Sequence, residues 1–266
     1  KYNLFLKYSN NSDNLYSKCI GQKQINKFFL FKFHKMEKDI HVIITAGGSG
    51  TRFSKSSKGS SKPKQFLNLL GKPVILHSLL KFQKCKEVKS IYISASKEYF
   101  NLLHLVAAKN KITKLRALVE GGKNRFESVR NAFEQVNCDV DDIILIHDAA
   151  RPNVTKEDIG SLIRASQKYG EVILGVRVSD TVKRTSGSII KETVDRNDLW
   201  LVQTPQAFRY DVLSRSYIIA GSKTDFTDEA SLAEFAGYEV RVIEGSRFNS
   251  KITSVEDMKA LKKIMG

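Results

Sequence analysis

From Ile40 onward, short apolar runs alternate with segments of helical period. Val42–Ala46, rich in β-branched residues, reads as a strand buried on both faces. Ile91–Ala95, Leu115–Val119, Ile143–Ile146 and Glu171–Val178 also read as strands. Between them the spacing predicts helices around Ile75–Lys84, Tyr99–Lys109 and about Arg125 to Gln135. A fourth helix opens at Thr155, whose capping-box partner is Asp158. Further helices are expected near Tyr210–Ala220, near Asp228–Ala236 with Thr227 as N-cap, and over Ser254–Ile264 with Ser254 and Asp257 as a capping box. Tyr238–Glu244 reads as a last strand. Strand–helix alternation of this kind places the chain in the α/β class, with a mostly parallel sheet covered by helices on both faces.

Residues 176–197 break the alternation. Val176–Thr185 and Ser188–Val194 both have strand character, and Ser186-Gly187 is a hairpin signal. Polar groups occupy both faces of these strands, so the hairpin is expected to project and to need a partner to cover it. Residues 1–35 show no clear period and no Gly/Pro punctuation before Met36. They are read as a disordered or non-native extension, the alternative being an organelle-targeting leader. Residues 36–266 are expected to form one domain.

Composition narrows the partners. The formal net charge is +16, but seven lysines against Asp13 in residues 1–35 account for +6 of it, leaving +10 dispersed over the remainder. No dense basic block with interleaved aromatics appears, so a solvated basic surface or a small anionic substrate explains the charge as well as nucleic acid does. No run is apolar and long enough to span a membrane. Cys19, Cys85 and Cys138 are scattered, without metal or disulfide spacing, which fits a reducing compartment.

The first strand ends in Thr45-Ala46-Gly47-Gly48-Ser49-Gly50-Thr51-Arg52. Successive backbone N–H groups in such a turn can form an anion nest, and Arg52 and then Lys64 add cations suited to phosphate. The turn fits neither the dinucleotide fingerprint nor a Walker loop. Gly121-Gly122-Lys123, leading to Ser128 at a strand–helix junction, reads equally as a base-edge site or as a plain turn. Asp148 follows a strongly apolar strand, a common place for a Mg²⁺ ligand beside a phosphate loop. An ordinary turn-capping Asp paired with Arg151 is the competing reading. His147 is read as structural. Thr181, Lys183, Arg184, Arg196 and Lys251 do not stand out from a solvated charged surface by pattern alone.

Taken in order, these pieces resemble the 2-C-methyl-D-erythritol 4-phosphate cytidylyltransferases. The matching segments are Ala46–Arg52, Pro63-Lys64-Gln65, Gly121-Gly122 with Arg125 and Ser128, and His147–Pro152. Asp180–Arg184, Thr193–Arg196 with Leu199-Trp200, Gln203–Gln206, Thr227–Ser231 and Asn249–Thr253 complete the set. The resemblance implies a Rossmann-like fold of the nucleotide-diphospho-sugar transferase type, a Mg²⁺ requirement, and a homodimer in which the hairpin arm, about 176–197, reaches into the neighbouring subunit. It assigns Arg52 and Lys64 to the α-phosphate, and Asp148 to the metal. Ala46, Gly47, Gly48, Ser49, Gly50, Gly122, Lys123, Ser128, Asp148 and Ala149 would bind the nucleotide. Thr181, Arg196, Thr204, Thr227 and Lys251 would bind the sugar phosphate, with Arg196 and Lys251 also aiming the attacking group.

Two departures stand out. A Ser/Lys-rich stretch, residues 54–62, lengthens the loop before Lys64 and offers Lys58 and Lys62 as further phosphate contacts. Phe248 stands where some members have an acid, which puts a second metal carboxylate in question. The implied reaction is CMP transfer from CTP to 2-C-methyl-D-erythritol 4-phosphate, in the cytoplasm, or in a plastid-type organelle should residues 1–35 be a leader. A ribitol 5-phosphate cytidylyltransferase is the nearest alternative. A basic nucleic-acid-binding protein is a remote one, and it would show steeply salt-dependent duplex binding.

Overall fold

The computed structural model describes residues 38–48 and 62–266. In chain order the elements are β1 (Ile40–Thr45), a 3₁₀ turn (Lys64–Phe66), the short pair β2 (Asn68–Leu69) and β3 (Lys72–Pro73), α1 (Val74–Lys84) and β4 (Val88–Ala95). Then follow a second 3₁₀ turn (Lys97–Tyr99), α2 (Phe100–Lys109), β5 (Leu115–Glu120), α3 (Arg125–Phe133), β6 (Ile143–Asp148), α4 (Lys156–Tyr169) and β7 (Val172–Arg177). The chain continues through β8 (Val182–Ser186), β9 (Ile189–Val194), β10 (Trp200–Arg209), α5 (Tyr210–Ala220), α6 (Glu229–Phe235), β11 (Arg241–Glu244) and α7 (Val255–Met265). Lys38–Gly266 makes one compact unit.

Seven strands form one sheet in the order β11-β7-β10-β6-β1-β4-β5. Every neighbouring pair is parallel except the two that involve β10, which runs against β6 and β7. The α/β class with a mainly parallel sheet is therefore as expected. Side-chain alternation along β1 explains the two layers. Ile40, Val42 and Ile44 pack with α1, α2 and α4 on one face, whereas Ile43 packs with α3, α5 and α6 on the other. All four are fully buried, and each such side chain contributes roughly 1.5–3 kcal/mol of transfer free energy. A third cluster docks α7 through Met258 and Leu261 onto Leu69, Val74 and Ile252.

Both expected capping boxes are present, Thr155 with Asp158 and Ser254 with Asp257. Elsewhere the boundaries differ. Asp228, not Thr227, caps α6, because its carboxylate accepts from the Ser231 N–H at 3.0 Å. α3 stops at Phe133 and β11 starts only at Arg241. The strand expected over Val176–Thr185 is two strands, β7 and β8, separated by residues 178–181. Among the described residues β8 and β9 pair only with each other, around a turn in which Gly187 has φ +58°, a conformation that favours glycine. Their side chains are largely exposed, as the polar pattern implied. No described helix is long and apolar enough to cross a membrane.

The order of the strands locates a ligand site. The chain moves outward from β1 to β4 and β5, then returns to place β6 on the other side of β1. Open α/β sheets bind ligands at the carboxyl ends of the strands where the order reverses, here between β1 and β6.

Candidate active site

Thr45 and Asp148, the last residues of β1 and β6, lie opposite each other in register. Asp148 is nearly buried, and three groups hold its carboxylate. Oδ1 accepts from Thr45 Oγ1 at 3.2 Å and from Arg125 Nε at 3.1 Å. Oδ2 accepts from Lys251 Nζ at 2.6 Å. Arg125, the first residue of α3, in turn donates its Nη1 to both oxygens of the buried Glu229, at 2.9 and 3.0 Å. Lys251, Asp148, Arg125 and Glu229 thus form one ionic chain across the mouth of the crevice. Burial works against ionisation of Asp148, but Arg125 and Lys251 prevail and hold its carboxyl well below the usual range.

The loop after β6 and the loop after β11 are locked together. Arg151 Nη1 donates to the carbonyl of Asn249 at 2.8 Å, and the Ile252 N–H donates to the Ala150 carbonyl at 2.9 Å. Asn249, fully buried, donates through Nδ2 to the Thr204 carbonyl at 2.9 Å. This lock is what sets Lys251 against Asp148. Lys64 reaches the same loop, donating from Nζ to the Ile252 carbonyl at 2.6 Å. Both lysines therefore converge on the crevice from opposite ends of the chain. Gln65 Nε2 donates to the carbonyls of Ala46 and Gly48, so the described part of the glycine turn is held from below.

His147 is fully buried, and its role is structural. Thr204 Oγ1 accepts the Asp148 N–H at 3.0 Å and lies 3.2 Å from His147 Nδ1. A hydroxyl that has accepted one proton can give its own to Nδ1, which leaves the ring proton on Nε2, facing the Arg151 carbonyl at 3.2 Å. Burial pushes His147 down to about 4, with Asp148 pulling the other way, so the ring is neutral at physiological pH.

The turn after β5 brings Gly121 and Gly122 beside Ser128. A Cβ on Gly122 would lie 2.2 Å from Glu127 Cβ, so only glycine fits there. The Gly122 N–H donates to Ser128 Oγ at 3.1 Å, and that hydroxyl donates to the Asn124 carbonyl at 2.8 Å. Ser128 therefore braces the loop in the protein alone. Asn124 caps α3 through the Glu127 N–H, and Lys123 N donates to the Glu127 carboxylate.

Of the residues singled out from sequence, the structure gathers Ala46, Gly47, Gly48, Lys64, Gly122, Ser128, Asp148, Ala149, Thr204 and Lys251 around the carboxyl ends of β1, β5 and β6. Ser49, Gly50, Thr51, Arg52 and Lys58 lie outside the described residues, as does the extension 1–35. Lys62 is described and exposed. Thr181 and Arg196 sit at the arm, where Arg196 donates to the Ser179 carbonyl. The Thr227 hydroxyl donates to Asp228 Oδ1 at 3.5 Å. Asp148 does not pair with the Arg151 side chain as its plainer reading had it, because that guanidinium is engaged by Asn249 and Val202 carbonyls. Sequence pattern does not single out Glu229, and it shows Arg125 only as part of a motif. Their signal was present in Gly121–Ser128 and Thr227–Ser231, but nothing local shows that the two meet.

Comparison with known proteins shows the family. Residues 40–266 match the family described as 2-C-methyl-D-erythritol 4-phosphate cytidylyltransferase. The enzyme of that name from Lysinibacillus sphaericus is 38% identical over 219 residues, covering 82% of this chain and 91% of the relative. The chloroplastic one from Oryza sativa is 33% identical over 231 residues, covering 86% and 75% respectively. The crystal structure of the Francisella tularensis enzyme superposes with a TM-score of 0.70 at 31% identity, covering 84% of this chain and 98% of that one. The chain belongs to the 2-C-methyl-D-erythritol 4-phosphate cytidylyltransferase family.

Proposed function

We propose that this chain transfers the cytidylyl group of CTP to 2-C-methyl-D-erythritol 4-phosphate. The products would be 4-(cytidine 5'-diphospho)-2-C-methyl-D-erythritol and pyrophosphate, in non-mevalonate isoprenoid precursor synthesis. The observation that carries the reading, beside family membership, is Asp148 gripped by Lys251 and Arg125 at the β1/β6 switch point. A phosphate monoester oxygen of the acceptor attacks the α-phosphorus of CTP, and the bond to the β-phosphate oxygen breaks. The monoester is already largely ionised because its second pKa is about 6, so no general base is required. That suits a site whose histidine is buried and held neutral.

What the protein must overcome is repulsion between two polyanions. Lys251 gives one of its three N–H donors to Asp148, which leaves donors for an incoming phosphate. Arg52 and Lys64 would stabilise charge at the α-phosphate, with the N–H groups of Gly47–Gly50 around the triphosphate. Ala46, Gly122, Lys123, Ser128 and Ala149 would receive the cytidine, and Thr204, Thr227 and Lys251 the sugar phosphate.

The donor set fits a magnesium ion in a limited way. A carboxylate offers about four lone-pair sites, and Asp148 uses three. Mg²⁺ needs only one or two carboxylates when phosphate oxygens and water supply the rest. Phe248, 59% exposed, brings no second carboxylate. Asp148 would hold the ion, which when bound would neutralise charge on the phosphate oxygens.

The arm supports a homodimer. Ile189 and Ile190 are 65% and 59% exposed, and Leu201 is 60% exposed, an apolar surface that a second protomer would cover. The arm of one protomer would then bring its Thr181 and Arg196 to the pocket of its partner. Replacing Val182–Val194 by a short turn is expected to yield a folded monomer without turnover, seen by sedimentation equilibrium. A dimer that persists would place the contact elsewhere.

The reaction is tested by pyrophosphate release with CTP and Mg²⁺, comparing 2-C-methyl-D-erythritol 4-phosphate with ribitol 5-phosphate, and CTP with UTP and ATP. Turnover should be fastest with the methylerythritol phosphate and CTP. Preference for ribitol 5-phosphate would overturn the substrate assignment.

A further inference from the structure

At the opposite end of the sheet from the crevice, where β1 begins, His41, Cys138 and Asp142 converge. One ligand atom from each lies within 4.8 Å of the other two. His41 is 1% exposed and Asp142 5%, while Cys138, half-buried, opens the cluster toward solvent. His41 Nε2 is 3.2 Å from Asp142 Oδ2, and its Nδ1 is 2.6 Å from the hydroxyl of the buried Ser90. Asp142 is fixed in turn, because Oδ1 accepts from the Asp39 N–H and Oδ2 from the Asp139 N–H, each at 2.9 Å. A hydrogen-bonded histidine–carboxylate pair explains His41 and Asp142. It does not explain a thiol within reach of both.

We propose that His41 Nε2, Cys138 Sγ and Asp142 Oδ2 form a binding site for one divalent cation of the zinc type. Nitrogen, sulfur and oxygen donors together suit a borderline ion, whereas Mg²⁺ takes oxygen ligands. Three protein ligands leave the fourth tetrahedral position to water, on the side that Cys138 opens. Ser90 supplies the outer support. A metal-bound imidazole donates its other N–H to a neighbour, and a serine hydroxyl can rotate from donor to acceptor without moving its oxygen. On binding, the thiol proton leaves to solvent and the ring proton passes from Nε2 to Nδ1, where Ser90 Oγ accepts it. The Asp142 lone pair that had accepted from Nε2 becomes the metal ligand. The ion would tie the start of β1 to residues 138–142, which lead into β6, at the end of the sheet remote from catalysis.

The test is a titration of the purified full chain with Co²⁺ under a non-chelating reductant. A thiolate-to-cobalt charge-transfer absorption should grow to one equivalent, and Zn²⁺ should displace it. It should vanish in Cys138→Ser and persist in Cys85→Ser and Cys19→Ser. Zn²⁺ at a hundredfold excess over its Kd should raise the Tm of the wild type by roughly 5–10 °C, and leave Cys138→Ser unmoved. Cys138→Ser, which touches no part of the crevice, should keep wild-type cytidylyl transfer and so report its own folding. Absence of the absorption in the wild type, or its survival in Cys138→Ser, would overturn the proposal.

Discussion

Replacing Asp148 with Asn should reduce turnover by about 10²–10³-fold and destabilise the fold by roughly 3 kcal/mol. The substitution keeps the shape and removes the charge. Arg125 and Lys251 then face each other across a neutral amide in a nearly dry site. Breaking a buried pair from one side leaves its partner uncompensated, which is why the loss exceeds that of a surface pair. Lys251 is 35% exposed at its side chain and can turn to water, and Arg125 keeps Glu229, so the destabilisation falls at the low end of the range for buried pairs. The sign of its pH dependence follows from the lowered carboxyl of Asp148, where burial is outweighed by Arg125 and Lys251. Its stabilising contribution is complete above the unfolded carboxyl value of about 4 and is lost as pH falls below that toward the folded value. The stability gap between wild type and Asp148→Asn should therefore be widest at neutral pH and narrow in acid. Urea denaturation at pH 7 and pH 3 measures it, and a gap indifferent to pH would contradict the assigned ion pairs.

Lys64→Ala should abolish measurable turnover, a loss on the order of 10²–10³ or more, with fold and oligomeric state intact. The side chain reaches the Ile252 carbonyl, one residue from Lys251, so two effects have to be separated. If Lys64 stabilises charge that develops on the α-phosphate, kcat falls far more than KM rises. If it only tethers the loop, Tm falls and activity follows it. Near-wild-type turnover in a stable variant would refute the catalytic role.

Much of this was legible in the order of residues. Val42–Ala46 and Ile143–Ile146 are apolar enough to be read as central strands, and each leads into candidate site residues. The capping boxes of α4 and α7 follow from side-chain chemistry three residues apart. β10 was not legible. Gln203, Thr204, Pro205 and Gln206 carry no strand pattern, yet they are buried, and distant groups meet their side-chain polar atoms except Gln206 Oε1. Gln206 donates to Asp228 at 2.7 Å, while Thr204 is engaged by Asp148 and Asn249. The Arg125–Glu229 contact joins residues 104 positions apart, and only tertiary folding makes it. Local pattern reports a side chain's neighbours along the chain, whereas polar burial depends on partners that pattern cannot name.

The antiparallel strand has one more consequence, for biosynthesis. β6, IILIHD, is buried along its whole length, and its second neighbour in the sheet is β10. As the chain emerges from the ribosome, β6 can join β1 at once, but its other edge stays raw until Trp200–Arg209 has been made. A bare hydrophobic strand edge invites pairing with other chains. Nascent chains stalled between these two points are the species on which chaperones would act, and premature termination within the arm would yield aggregates, not half-active enzyme.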